Sequence, residues 1–369
     1  MNVPLSILDL VPISEGGDAA TALRNTVDLA RHAERWGYRR YWLAEHHFVA
    51  VASSSPAVLI GQLAAATERI HVGAAAVQLG YTTAVAVVES FGILDALYPG
   101  RIDLGVGRSG QRRREAATSA SRPKGPPRTW QEIDDVVIPA PFDISALLSN
   151  PRLQARMSVL QQPGADAPDF ADQVADILAM LAGTYHVDGV EAHATPGEGA
   201  ALWPWVFGSS KGQSARVAAK FGLPFVASYH ITPATALQAI DVYRDGFQPS
   251  DELREPYVVV SADVVVADDT ATAGHLASTY GRWVHSIRAG DGAVPYPDPA
   301  SSQPLTTEQE ELVKDRTATQ FVGDPDQVAH RLDALQRLTG ADELVVTSVT
   351  HAHADRLRSH ELIAKRWGL

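Results

Sequence analysis

The chain has 369 residues, 45% of them apolar and 20% charged, with a formal charge of −12 and no cysteine. That is enough apolar material for a large core, while the acidic balance argues against nucleic acid, whose phosphates need clustered Lys and Arg. Disulfides, thiolate metal sites and cysteine nucleophiles are excluded.

Residues 5–10 read as a strand. Residues 21–36 read as a helix, with Leu23, Val27, Ala30 and Ala33 on one stripe and Gly37 as its stop. A short strand follows at 41–43, then a helix at 56–66, a strand at 70–79, a helix at 84–97 and a strand at 102–106. Four such units in a row predict parallel strands joined by right-handed crossovers. After Gly107 the regularity breaks. Residues 109–168 are rich in Pro, Arg, Ser and Ala and read as an irregular insertion with a short helix near 144–148. The run Arg112, Arg113, Arg114 lacks interleaved aromatics and reads as a solvated loop.

Helix then resumes at 170–182, followed by a strand at 205–207, a helix at 214–221, a strand at 225–228, a helix at 233–245 and a strand at 257–266. A helix at 270–285 leads into a second irregular stretch, 290–306. The chain closes with a helix at 326–338, a strand at 343–349 and a terminal helix near 354–367. Eight strands alternating with helices predict a single (β/α)₈ barrel with an insertion after the fourth strand; an open doubly wound sheet is the alternative. No apolar run reaches 18 residues, and Met1 to Asp9 has neither a basic region nor an apolar one, so no signal peptide is expected and the cytoplasm is the default location.

In such a barrel the chemistry sits where strands end. Glu45, His46 and His47 follow the second strand as adjacent titratable groups fit for proton exchange near neutral pH, or for a purely structural histidine pair. The run from Gly73 to Gln78 is of small side chains and leaves backbone open to a flat ring. Gly105-Val-Gly-Arg-Ser-Gly110 matches a dinucleotide fingerprint, but it sits on the fourth strand with prolines soon after, so Arg108 is better read as a fixed charge for a phosphate. Gly208, Ser209, Ser210 and Ser214 lead into a helix, where free N–H groups and the dipole favour an anion, or where Ser214 only caps. His351 and His353 could join His46 and His47 around zinc; a solvated helix start is the simpler reading, and no metal is expected.

Together these strings resemble the luciferase-like flavin monooxygenases, over residues 1 to about 110 and 200–369. The resemblance rests on Trp42-Leu-Ala-Glu-His-His-Phe48, Val72-Gly-Ala-Ala-Ala76, Pro99-Gly-Arg-Ile-Asp-Leu-Gly105 and Ala218-Ala-Lys-Phe-Gly-Leu-Pro224. It implies a flavoprotein using reduced FMN, or in some branches F420, with His46 catalytic. It further implies a non-prolyl cis peptide at Ala75 and Ala76 under the flavin ring, and Arg108, Gly208, Ser209, Ser210 and Ser214 around the phosphate. Gln78 is assigned to the cofactor, Glu45 and His47 to the substrate pocket, and 290–306 matches a mobile active-site loop. A separate flavin reductase and a homodimer are the expected partners. Where luciferases carry a thiol this chain has Gly107, and where they carry a histidine it has Thr83, so light emission is not expected. Three alternatives stand beside a monooxygenase: an F420-dependent dehydrogenase or reductase, a non-catalytic flavin-binding protein, and a zinc hydrolase.

Overall fold

The computed structural model describes residues 3–108, 129–208 and 212–369. Eight parallel strands close into a barrel: β1 (Leu5–Asp9), β2 (Arg40–Leu43), β3 (His71–Ala74), β4 (Ile102–Gly107), β5 (Pro204–Gly208), β6 (Phe225–Ala227), β7 (Val258–Val266) and β8 (Glu343–Thr347). Each pairs with the next in sequence, β8 returns to β1, and β4 pairs with β5 across the insertion.

The crossover helices on the early strands are α1 (Ala19–Trp36), α2 (Pro56–Ala66) and α3 (Ala84–Leu97). Their ends are set by local chemistry. Asp18 accepts the Thr21 amide at the start of α1, and Gly37 ends it at φ 90°, the left-handed conformation that glycine adopts without steric cost. Within the strands, residues alternate between two environments. Leu5, Ile7, Tyr41, Leu43, Val72 and Ala74 pack outward under the helices, while Leu8, Trp42, Trp205, Val226, Val259 and Val345 fill the barrel axis.

Trp42 and Trp205 are the bulkiest of these, and the Trp42 ring centroid lies 5.5 Å from Trp205 and 5.3 Å from Phe207. A Cβ at position 73 would lie 2.6 Å from its indole, so Gly73 is needed for packing below the strand ends. At the N-terminal end the axis is plugged by polar groups. Arg40 bridges Asp103 at 3.1 Å and Glu343 at 2.5 Å, and Ser6 and Tyr257 also donate to Glu343. An opening into the barrel is therefore left only at the C-terminal end.

Several boundaries differ from the sequence reading. The third strand does not run to residue 79: it stops at Ala74, the Ala75–Ala76 peptide is cis, and Val77–Gln78 then pairs separately with β4. The insertion is not simply irregular. Beyond 109–128, which lie outside the described residues, it holds a hairpin, Gln131–Ile133 with Val136–Ile138, turned by Asp134 and Asp135 at φ 49° and 64°. A helix, α4 (Pro151–Ser158), follows the short helix Ser145–Leu148. Asn150 caps α4 and Pro151 opens it, a start signal the composition of the segment obscures.

Helix α5 (Phe170–Leu181) packs on α3, and α6 (Gln213–Lys220) and α7 (Ala236–Asp245) follow β5 and β6. The single helix expected at 270–285 is two, α8 (Thr270–Ala277) and α9 (Tyr280–Arg288), because only α9 carries a large buried face, through Tyr280, Trp283 and Val284. Helix α10 (Thr307–Ala318) and the strand Phe321–Gly323 had no counterpart in the reading. α10 buries only Val313, so no apolar stripe marks it, although Thr306 and Gln309 form a capping box at its start. Helices α11 (Pro325–Thr339) and α12 (His353–Trp367) complete the fold. No helix among the described residues is long and apolar enough to cross a membrane.

Candidate active site

The C-terminal ends of the strands surround a cavity of about 280 Å³. One rim is cationic. Arg108, directly after β4, is 8% exposed, and its Nε donates to Ser214 Oγ at 3.1 Å. Ser214 is itself buried in the first turn of α6, whose amides and dipole face the same rim. Gly208 ends β5 there. A Cβ on it would come within 2.8 Å of the Phe225 ring and 2.9 Å of Ser214 Cβ. Ser209 and Ser210, assigned to the same cradle, lie outside the described residues.

The opposite wall is built by β2 and β3. Ala75 and Ala76 line the cavity beside Gly107, where a Cβ would lie 3.3 Å from Ala76 Cβ, so glycine keeps the floor open. Glu45 organises this wall: its carboxylate lies 2.9 Å from His47 Nε2 and accepts the Gln78 amide at 3.0 Å, while Gln78 Nε2 donates to the Glu45 carbonyl at 2.5 Å. Glu45 and Gln78 thus form one hydrogen-bonded unit, with His47 turned away from the cationic rim.

His46 stands between them, its backbone N–H donating to Ser53 O at 2.9 Å. The ring is open to the cavity yet ringed by protein. Burial, helped by the neighbouring His47, lowers its pKa to about 4, so it is neutral at physiological pH. A second imidazole faces the same cavity, one the sequence reading missed. His230 follows β6, and its Nδ1 lies 2.5 Å from Ser261 Oγ on β7. Ser261 Oγ also lies 3.4 Å from Ala227 O, so the hydroxyl is held between the His230 ring and a strand carbonyl. Burial lowers the His230 pKa to about 3, with Arg316 and His46 adding to the effect. The signal was available: Ser228-Tyr-His230 sits at a strand end, where Glu45-His46-His47 was noticed.

Next to this cavity lies a second, of about 250 Å³, which shares Leu10, His46 and Gln78 with the first. His47 lines it, as do residues 290, 292 and 293 of the stretch expected to be a loop over the site. The zinc set is not assembled. His351 Nε2 lies 3.0 Å from Glu15 O and His353 Nε2 3.0 Å from Asp28, neither of them with His46, and among the described residues no group of three or more His, Asp or Glu is placed to hold a metal.

Comparison with known proteins adds an independent line. The profile of the family described as luciferase-like monooxygenase matches residues 3–137 and 161–343. The Bacillus subtilis protein YvbT is 37% identical over 98% of this chain and 96% of its own length. An Escherichia coli protein named luciferase-like monooxygenase is 33% identical over 98% of this chain and 96% of itself. Among solved structures, apo-MsnO8 superposes with a TM-score of 0.77 at 29% identity, covering 100% of this chain and 98% of that one. Two more distant structures share the fold. The oxygenating constituent of 3,6-diketocamphane monooxygenase from Pseudomonas putida, in complex with FMN, has a TM-score of 0.63 at 18% identity, covering 99% of this chain and 97% of that one. An F420-dependent secondary alcohol dehydrogenase has a TM-score of 0.62 at 11% identity, covering 100% and 99%.

Proposed function

The chain belongs to the luciferase-like monooxygenase family, and from that membership we propose that it is a monooxygenase using reduced FMN and dioxygen on a small organic substrate. The observation that carries the choice is the meeting, in one cavity, of a buried cationic rim with a wall of small residues and a neutral imidazole. A phosphorylated ring cofactor fits that arrangement. Arg108, Ser214 and the first turn of α6 would hold its phosphate, with Ser209 and Ser210 assigned beside them, and Ala75, Ala76 and Gln78 would hold its ring.

Bound reduced flavin supplies the electrons and the activation of dioxygen, which no side chain here can provide. The protein's own groups do the rest. His46, neutral at its depressed pKa, can accept a proton at its free ring nitrogen and return it later. Ser261 fixes the orientation of the His230 ring, which lines the same cavity. Leu8, Leu10, Val226 and Val345 exclude water from the interior.

Absorbance titrations with oxidised FMN, reduced FMN and F420 test the assignment. Tightest binding of reduced FMN, with oxygen uptake on adding substrate, supports it. Preference for F420 would move the chain to the dehydrogenase reading, and flavin binding without substrate-dependent oxygen uptake would make it a binding protein. A separate reductase supplies the reduced FMN in this scheme, and the cytoplasm, where reduced nicotinamide is made, is its setting. Residues 290–306 move to admit substrate.

We also propose a homodimer through α2 and α3. Both helices are apolar nearly all round, and Val58, Val85, Ile93 and Leu97 remain exposed on their outer faces. Ile93→Glu combined with Leu97→Glu should turn a dimer into a monomer in light scattering after size exclusion. An unchanged dimer mass would remove this surface as the interface.

A further inference from the structure

Helix α4 of the insertion presents an odd face. Leu153 and Met157, with Leu160 just past the end of the helix, recur at helical spacing, the pattern of a helix that packs on a core. Yet α4 buries no residue fully, and these three, with Leu147 of the preceding short helix, instead line the second cavity. The far wall is Trp283 and Ile287 of α9, with Val49 and Val51 after β2. The helix therefore roofs a void rather than a core.

The roof is fastened. Arg156 Nη1 donates to Asp291 O at 2.7 Å, and Arg152 pairs with the Asp291 carboxylate at 3.0 Å. Gly290 and Gly292, at φ 90° and 81°, bring the 290–293 loop so close to Asn150 and Val49 that a side chain at either position would collide. Arg152 is thus paired with a carboxylate, and Arg156 is turned to a main-chain carbonyl beside Gly292. Inside, the polar groups gather at one end, at His46, His47 and Gln78, which is also the end shared with the cofactor cavity. Among the described residues, no Asp, Glu, Lys or Arg lines the chamber.

Resting on the monooxygenase reading above, we propose that this chamber is the substrate site and that it selects an uncharged, compact, predominantly apolar molecule, its oxidisable atom held at the His46–Gln78 end. An anionic substrate would place a carboxylate or sulfonate against leucine, methionine and tryptophan, with no cation among the described lining residues to meet it, a large desolvation penalty. About 250 Å³ limits the occupant to a small molecule. Through Leu147, Leu153, Met157 and Leu160, the insertion thereby determines specificity.

The test uses a matched pair of equal size, 2-heptanone and hexanoate, measured by calorimetry and by ligand-detected NMR on the whole protein without cofactor. The ketone should bind at least about tenfold more tightly than the carboxylate. Met157→Trp, which fills the chamber, should abolish ketone binding while leaving the FMN absorbance titration unchanged. Leu153→Ala, which enlarges it, provides a second variant if the tryptophan disturbs folding, and should shift preference toward a longer ketone. Equal binding of both probes, no ketone binding, or ketone affinity indifferent to both variants would overturn the proposal. Because the FMN titration is read separately, loss of the chamber's selectivity and loss of the flavin site give different results.

Discussion

Arg108→Ala should weaken FMN binding by about one to two orders of magnitude, the largest change in affinity expected from any single substitution in this site. A charge-assisted bond from a buried guanidinium contributes about 1.5–3 kcal/mol, and each 1.4 kcal/mol is tenfold in affinity. Arg108 is held in place before any ligand arrives, by its bond to Ser214 Oγ, so little side-chain entropy is lost on binding. The loss should fall on phosphorylated flavin alone: riboflavin, which has the ring but no phosphate, should bind wild type and variant with the same affinity. Arg108→Lys should recover part of the loss, as a point charge without the planar fork. An absorbance titration reads all of these. If FMN affinity is unchanged in Arg108→Ala, the cationic rim is not the phosphate site.

The second large effect is on turnover. His46→Asn should lower kcat by about 10²–10⁴, with FMN affinity within about twofold of wild type, because the imidazole lies on the wall away from Arg108. The pH dependence follows from the protein atoms crowded around the ring, although the residue is exposed to the cavity. With its pKa lowered from the usual 6.5 to about 4, His46 is neutral near pH 7, so its acid limb should lie below the range of 6 to 7 expected of a free imidazole. Folding is linked to the same shift. The folded protein binds the proton more weakly than the unfolded chain, so the contribution to stability is fully present above about pH 6.5 and is lost as pH falls toward 4. His230, lowered to about 3, acts in the same direction. Urea unfolding at pH 7 and at pH 4.5 should show stability declining with acid, and His46→Asn should reduce that slope. A kcat unaffected by the substitution would remove His46 from the chemistry.

Much of the molecule was readable beforehand. The helices α2 and α3 were placed to the residue because each is an uninterrupted apolar run of helical length between two strand signals. The strand-end rule also led to Arg108, Ser214 and His46, which the structure does bring to one cavity. His230 was passed over only because its neighbours Ser228 and Tyr229 carry no obvious chemistry. The insertion was read as irregular because its composition is irregular; its helix is defined by a cap and a proline, not by a long stripe.

What the sequence determined by itself is what depends on local spacing: the alternation of strand and helix, the stop of α1 at Gly37, and the placing of chemical groups at strand ends. Only the tertiary structure decided what depends on residues far apart in the chain. Leu10, His46, Met157 and Trp283 meet around one chamber, and Arg108 reaches Ser214 across 106 positions. Such meetings are set by barrel closure and by the insertion folding back over the mouth, and no local period along the chain encodes either distance.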